Sequence, residues 1–406
     1  MTMPLRFAAA LACATLALSA CDGGRNNQQL TPRDGAAARY TPSGQRVPLQ
    51  DWQPIPRRAV SPETQLARDT ILGPNAIEDG KVKLWWFGVS SFVISGGGHL
   101  WLMDAWEPIG LQADYVPVGR EEIAAIQPEA IFIGHGHFDH AADAGYIAGR
   151  SGAVVVGSEE ICTSVQADAA QDDLQNAFDC LITGTATLPA PGTTQTVELW
   201  NDMAAVSILQ HIHSAASPQT YELGDTPFIH VPNLLPYLGY LNSSPEEWLR
   251  FLSTLTLEQG GTWAYHFKLG DFTMLWHDST GPIAASDPDG AAVQAALDSF
   301  PGCVDVQLGA IVGFDQPISG LRDPRLYVEH AHPRVFLPNH HDAWAPVVGG
   351  GAAAYKSEWQ REMDSLENPP LVDYLTDPVD YMAPRVYDIK DPIWAEPMPG
   401  SRCAGE

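Results

Sequence analysis

Four potential metal ligands fall within six residues in the stretch Gly134-His135-Gly136-His137-Phe138-Asp139-His140. Imidazole and carboxylate bind zinc and similar ions, and two-metal hydrolytic sites hold their ions ~3.5–4 Å apart. In an extended loop, residues two apart point the same way. His135 and His137 can therefore grip one ion, while the adjacent Asp139 and His140 turn to a second. The remaining ligands should arrive singly from later in the chain.

The elements around this loop read as α/β. A helix over 120–127, stopped by Pro128, is followed by a strand over 130–133, the loop, a helix from about 139 to 149, and a strand at 153–156. The loop thus sits at the carboxyl end of its strand, where α/β sheets place their ligands. Upstream, strands at 82–87 and 91–95 precede a Gly96-Gly97-Gly98 turn and a strand that ends at Asp104. Downstream, strands are expected at 195–199 and 204–209. A hairpin over 263–276 turns at Gly270-Asp271. A strand at 304–312 and a short one at 334–337 follow, with helices at 291–300 and 352–366. Residues 158–190 read as helical around Cys162 and Cys180, then turn-rich. Ser61-Pro62-Glu63 starts a short helix to Leu72, with Ser as cap and Pro at the first helical position.

The spacing His-x-His-x-Asp-His resembles the signature of the metallo-β-lactamase superfamily, and the similarity extends over about residues 82–345. It implies a four-layer αβ/βα sandwich. That family continues with an isolated His, an Asp and a final His, each after a strand. Here these are His213 (or His211), Asp278 and His340 (or His341). The resemblance implies one ion on His135, His137 and His213, and a second on Asp139, His140 and His340. Asp278 bridges them, a hydroxide between the ions is the nucleophile, and Asp139 orients it or accepts a proton. Asp104 fits the family's first motif as a support for the loop, or is a plain strand-end cap. His277 stands where the family usually has Gly. Zinc is the default pair of divalent ions, with manganese or iron accepted by the same donors. The Gly88-Val89-Ser90-Ser91-Phe92 stretch and the His-x-Asp ending look like the lactonase and phospholipase-D-like branch, which implies a lactone, ester or phosphodiester substrate, small or lipid-like. Rival readings are a β-lactam hydrolase, a mononuclear-iron dioxygenase of the same fold, and a binding protein that has lost catalysis. His99, His230, His266, His330 and His332 read as structural or surface residues.

The chain has 406 residues, 45% hydrophobic, with 12 Trp, 12 Tyr and 13 Phe, enough for a sizeable core. Its formal net charge of −27 argues against a nucleic-acid partner, since phosphate binding needs a basic surface. Residues 1–20 read as a signal peptide: Arg6, then a short apolar run. The following Leu18-Ser19-Ala20-Cys21 looks like the lipobox of bacterial lipoproteins, which implies a lipid on Cys21 and a membrane-tethered protein of the cell envelope facing the periplasm. Asp22 resembles an inner-membrane retention signal. Residues 21–48 read as a flexible tether, 49–80 as an N-terminal extension, and 81–406 as the hydrolase domain. An aromatic-rich insert at 215–260 is either a substrate lid or a packed excursion. In an oxidising compartment the remaining Cys162, Cys180, Cys303 and Cys403 can pair in three ways. Cys162 with Cys180 is preferred, leaving Cys303 with Cys403.

Overall fold

The computed structural model describes residues 38–41, 46–48, 52–107, 116–174, 177–183, 189–214, 259–300, 304–313, 320–343 and 351–396. Cys21, Asp22, His230, Cys303, Cys403 and the insert at 215–258 lie outside them. Among the described residues no helix is long and apolar enough to cross a membrane.

The described chain builds two mixed sheets. The first contains β1 (Ala38–Tyr40), β2 (Arg46–Pro48), β3 (Lys81–Gly88), β4 (Ser91–Gly96), β5 (His99–Met103), β6 (Ala130–Phe132), β7 (Val154–Gly157), β8 (Cys180–Ile182) and, from the far end of the chain, β16 (Arg385–Asp388). The second contains β9 (Thr194–Val197), β10 (Val206–Gln210), β11 (Trp263–Leu269), β12 (Phe272–His277), β13 (Val306–Ala310), β14 (Val335–Asn339) and β15 (Leu371–Val372). The strand orders are β16-β3-β4-β5-β6-β7-β8-β1-β2 and β15-β14-β13-β12-β11-β10-β9. In each sheet an antiparallel meander turns into parallel strands, from β5 to β8 in the first, with β1 and β2 added antiparallel beyond, and from β12 onward in the second.

The sheets pack face to face because strand residues alternate between faces. On β11, Trp263, Tyr265, Phe267 and Leu269 enter the core between the sheets, whereas Ala264 joins the apolar layer on the outer side. On β12, Phe272, Met274 and Trp276 point inward and Leu275 outward. Ring contacts cross the interface: Trp101 lies 5.3 Å from Phe267, and Phe132 lies 5.0 Å from Tyr265. Truncating a buried aromatic of this kind to Ala costs about 3–5 kcal/mol.

Helices cover the outer faces. On the first sheet lie α1 (Pro62–Ile71), α2 (Arg120–Ala125), α4 (Ala144–Ser151) and α5 (Glu159–Ala169), with a single turn, α3 (Phe138–Ala141), leading into α4. The second sheet is covered by α6 (Pro288–Asp298), α7 (Arg322–Ala331) and α8 (Ala352–Asp364). The resulting layer order is αβ/βα. Helix α1 starts as its sequence dictates: the Ser61 hydroxyl accepts from Thr64 N, and Pro62 takes the first turn where no donor is needed.

Several expectations need correction. The stretch read as a tether ends in sheet, since β1 pairs antiparallel with β8 and with β2. Cys180 opens a strand rather than lying in a helix, which brings it against Cys162 of α5 in a disulfide. The helix expected after the metal loop is broken at Ala142-Asp143. Helix α7 and the closing strands β15 and β16 lie where no element was expected.

Candidate metal centre

Five strand ends meet at one edge of the sandwich. Asp104 follows β5, the His-rich loop follows β6, His213 lies just past β10, Asp278 follows β12 and His340 follows β14. All seven expected ligands are buried.

The imidazoles converge through specific atoms. His135 Nε2 lies 2.9 Å from His137 Nδ1 and 3.1 Å from His213 Nε2. Nitrogens bound to one tetrahedral ion at about 2.0–2.1 Å would stand about 3.3 Å apart. A second group forms where His340 Nε2 lies 3.3 Å from His140 Nε2 and 3.4 Å from Asp139 Oδ2, with His140 Nε2 3.3 Å from that same oxygen. A third grouping joins His135, His140 and Asp278, whose ligand atoms lie within 4.8 Å of one another. Asp278 Oδ2 accepts from Nδ1 of His135 at 2.7 Å and lies 3.3 Å from Nδ1 of His140. It therefore holds both rings from behind, through the nitrogens that do not converge.

The donor set fits divalent ions. A carboxylate on one ring nitrogen fixes the tautomer and leaves the other lone pair for an ion. Asp278 does this for His135, and Asp104 Oδ2, at 2.6 Å, does it for His140 Nδ1. Burial and neighbouring imidazoles push His135 and His213 well below the ordinary histidine range, and burial takes His137 to about 4. These three rings are neutral at physiological pH, as ligands must be. Burial opposes charge on His140, but Asp139, Asp104 and Asp278 outweigh it and hold its pKa well above normal. The Asp139 carboxyl, although buried, is held well below its usual range by His140 and His340. Asp278 Oδ1 and His213 Nδ1 are buried with no hydrogen-bond partner among the described residues.

The spare histidines lie elsewhere. The ladder continues through His211, whose N donates to Thr262 O, and then breaks at Ile212. His211 consequently turns to Tyr327 of α7, with Nδ1 3.1 Å from its hydroxyl, while His213 enters the cluster. His341 donates from Nε2 to Leu375 O and stacks on Trp86. His277 accepts from Gln307 Nε2 and is accommodated by Gly309, where a Cβ would stand 2.6 Å from its ring. Gly134 plays the same part under Asp278, whose carboxylate lies 2.1 Å from where a Cβ would be.

Asp104 supports the loop rather than merely capping β5. Its Oδ1 accepts from Gly134 N, and its Oδ2 accepts from both His140 and Ser90 Oγ. Asp342 and Tyr381, described below, were not singled out in the sequence. Asp342 was visible only as the Asp of the His-x-Asp ending, and Tyr381 sits in a Pro-rich tail without a pattern.

Residues 84–206 match the metallo-beta-lactamase superfamily. The fold is that of the metallo-β-lactamases. Among curated relatives, a UPF0173 metal-dependent hydrolase of Myxococcus xanthus is 36% identical over 105 residues, covering 26% of this chain and 36% of the relative. One from Pyrobaculum calidifontis is 36% identical over 84 residues, 21% of this chain and 36% of the relative. A longer match, to a UPF0173 metal-dependent hydrolase of Anaeromyxobacter dehalogenans, is 26% identical over 276 residues, 66% of this chain and 78% of the relative. The chain thus spans about a third of the length of the first two relatives. Among solved structures, Igni18, a metallo hydrolase from Ignicoccus hospitalis, superposes with a TM-score of 0.47 at 16% identity, over 76% of this chain and 100% of that one.

Proposed function

We propose that this metallo-β-lactamase-fold chain is a metal-dependent hydrolase with two ion sites. The first ion would be held by His135, His137 and His213, the second by Asp139, His140 and His340, with Asp278, whose Oδ1 is buried without a partner among the described residues, between them. The observation that carries this is the pair of converging donor groups on one loop, each completed by a His from the opposite sheet. Bound there, divalent ions supply Lewis acidity, which polarises a scissile oxygen and acidifies water.

The chain's own residues supply the rest. Asp139 is kept ionised beside the cluster, so its carboxylate can orient a nucleophile or take its proton. Asp104 and Asp278 aim the imidazoles and hold their tautomers. Burial keeps these contacts out of bulk water, which strengthens them. The substrate we propose carries a lactone, ester or phosphodiester bond. The site is also proposed to face the periplasm on a protein tethered through a lipidated Cys21; the Cys162–Cys180 disulfide supports an oxidising compartment.

The test is elemental analysis of protein purified without added metal, followed by a screen of lactones, phosphodiesters and β-lactams. Two equivalents of zinc, manganese or iron with turnover of the first two classes is the expected result. Turnover of β-lactams alone would overturn the substrate class, and a single iron per chain would return the dioxygenase reading. Loss of the lipid label in Cys21→Ser, with retention in wild type, tests the tether.

A further inference from the structure

Three non-glycine residues around the second donor group adopt left-handed backbone: Val89 at φ 51°, Asp104 at 52° and His340 at 64°. For a β-branched residue such as Val89 this is a true outlier, costing about 1–3 kcal/mol, and it persists only where its surroundings over-determine it. What over-determines Val89 is its own peptide. Both carboxylate oxygens of Asp342 accept from Val89 N, at 3.1 and 3.0 Å. Val89 O in turn accepts from His340 N and from Trp86 Nε1, each at 2.9 Å. The next residue, Ser90, is fixed by Trp276 Nε1 donating to its carbonyl. Its hydroxyl donates to Asp104 at 2.6 Å and lies 2.9 Å from His140 Nδ1.

His140 and His340 thus both touch the Gly88–Ser91 turn, His140 through the Ser90 side chain, alongside Asp104 and Asp278, and His340 through the Val89 carbonyl. His135 is held by Asp278, and His135, His137 and His213 by one another. The turn itself is closed from the C-terminal segment. Tyr381 donates from its hydroxyl to Asp342 Oδ2 at 2.6 Å, and its ring packs 4.7 Å from Trp86. Met382 N donates to Trp86 O, and Arg385 pairs with Asp373 and Asp380 to brace the segment.

We propose that Asp342 and Tyr381 are positioning residues for the second ion site alone, so that the C-terminal segment sets the affinity of one ion and not of the other. This rests on reading the two donor groups as ion sites. Supporting residues of this kind typically change metal affinity about 10–100-fold.

The experiment titrates zinc into metal-free protein against a chromophoric chelator. Wild type should take up two equivalents, and His137→Ala, in the first donor group, should identify which equivalent belongs to that group. Tyr381→Phe keeps the ring on Trp86 and removes only the hydroxyl. It should weaken the other equivalent about tenfold and leave the first unchanged. Asp342→Ala should weaken the same equivalent more, and Asp342→Asn, which keeps one oxygen acceptor, should fall between. Tyr374→Phe loses a hydrogen bond of the same segment, to Ala352 O, without touching Asp342 and should leave both equivalents unchanged. Equal weakening of both equivalents, or of neither, in Tyr381→Phe overturns the inference while leaving the two-ion reading intact. Uptake of fewer than two equivalents by wild type removes both.

Discussion

His211 and His213 show what one residue of chain direction decides. Both follow the same strand, both are buried, and spacing alone offers either to the cluster. What separates them is the break at Ile212, whose carbonyl accepts from Gly281 N, a long-range contact absent from any local pattern. The pair therefore makes a sharp test. His213→Ala should lower metal affinity by more than the ~10–100-fold expected of a supporting residue. His211→Ala should keep the wild-type metal content and cost roughly 0.5–1.5 kcal/mol of stability through its lost hydrogen bond to Tyr327, whose hydroxyl still reaches Ile212 O. Elemental analysis and urea melts on the two variants distinguish these outcomes, and equal metal loss in both would reverse the assignment. Gly134→Ala is a second residue-scale prediction. Its new Cβ would collide with the Asp278 carboxylate, so Asp278 must leave His135. Reduced zinc uptake is expected with only a modest fall in melting temperature, because Asp278 and not the core has to move.

The elements that carry the site were legible because strong apolar runs stop abruptly at chemistry. Residues 130–133 run straight into the His loop, and the hairpin over 263–276 delivers Asp278. What escaped the sequence was held by partners far away in the chain. Strand β16 exists because Arg385–Asp388 pairs with Lys81–Leu84 at the other end of the domain. Helix α7 begins at an Arg-Asp-Pro-Arg run, and its buried face shows only once Tyr327, Val328 and Ala331 meet the second sheet. Strand β8 is short, and it is the disulfide that ties it to α5. Closing a loop of sequence separation 18 should contribute roughly 3 kcal/mol through the unfolded chain. The double variant Cys162→Ala, Cys180→Ala is expected to lose about that much in denaturant melts and to keep its metal content, since neither cysteine belongs to a donor group. Zinc loss alongside the drop would mean that α5 and β8 reach the site.

At the scale of the whole molecule, an ionic network centred on buried His99 joins the two sheets to the N-terminal extension, at the opposite end of β5 from Asp104. His99, at the start of β5, is fully buried between two carboxylates: Nδ1 lies 2.5 Å from Glu129 Oε2 and Nε2 2.6 Å from Asp202 Oδ1. Glu129 also accepts from Trp200 Nε1, and Asp202 is paired with Arg57, which donates to Gly97 O. Burial opposes charge on His99, but Glu129 and Asp202 prevail, and its pKa is raised above 6.5. A histidine whose folded pKa is raised favours the folded state most fully below the unfolded value of about 6.5, and that contribution is lost as pH climbs through the folded pKa. His99→Gln cannot carry the charge. The stability difference between wild type and His99→Gln should therefore be largest near pH 6 and shrink at higher pH, by at most roughly 1.4 kcal/mol per pH unit. Urea melts of both proteins across that range, with zinc present throughout, isolate the effect, because titrations at the distant metal centre act alike on both and cancel in the difference. A difference that stays constant with pH would mean that His99 sits neutral in the folded protein and would overturn this reading.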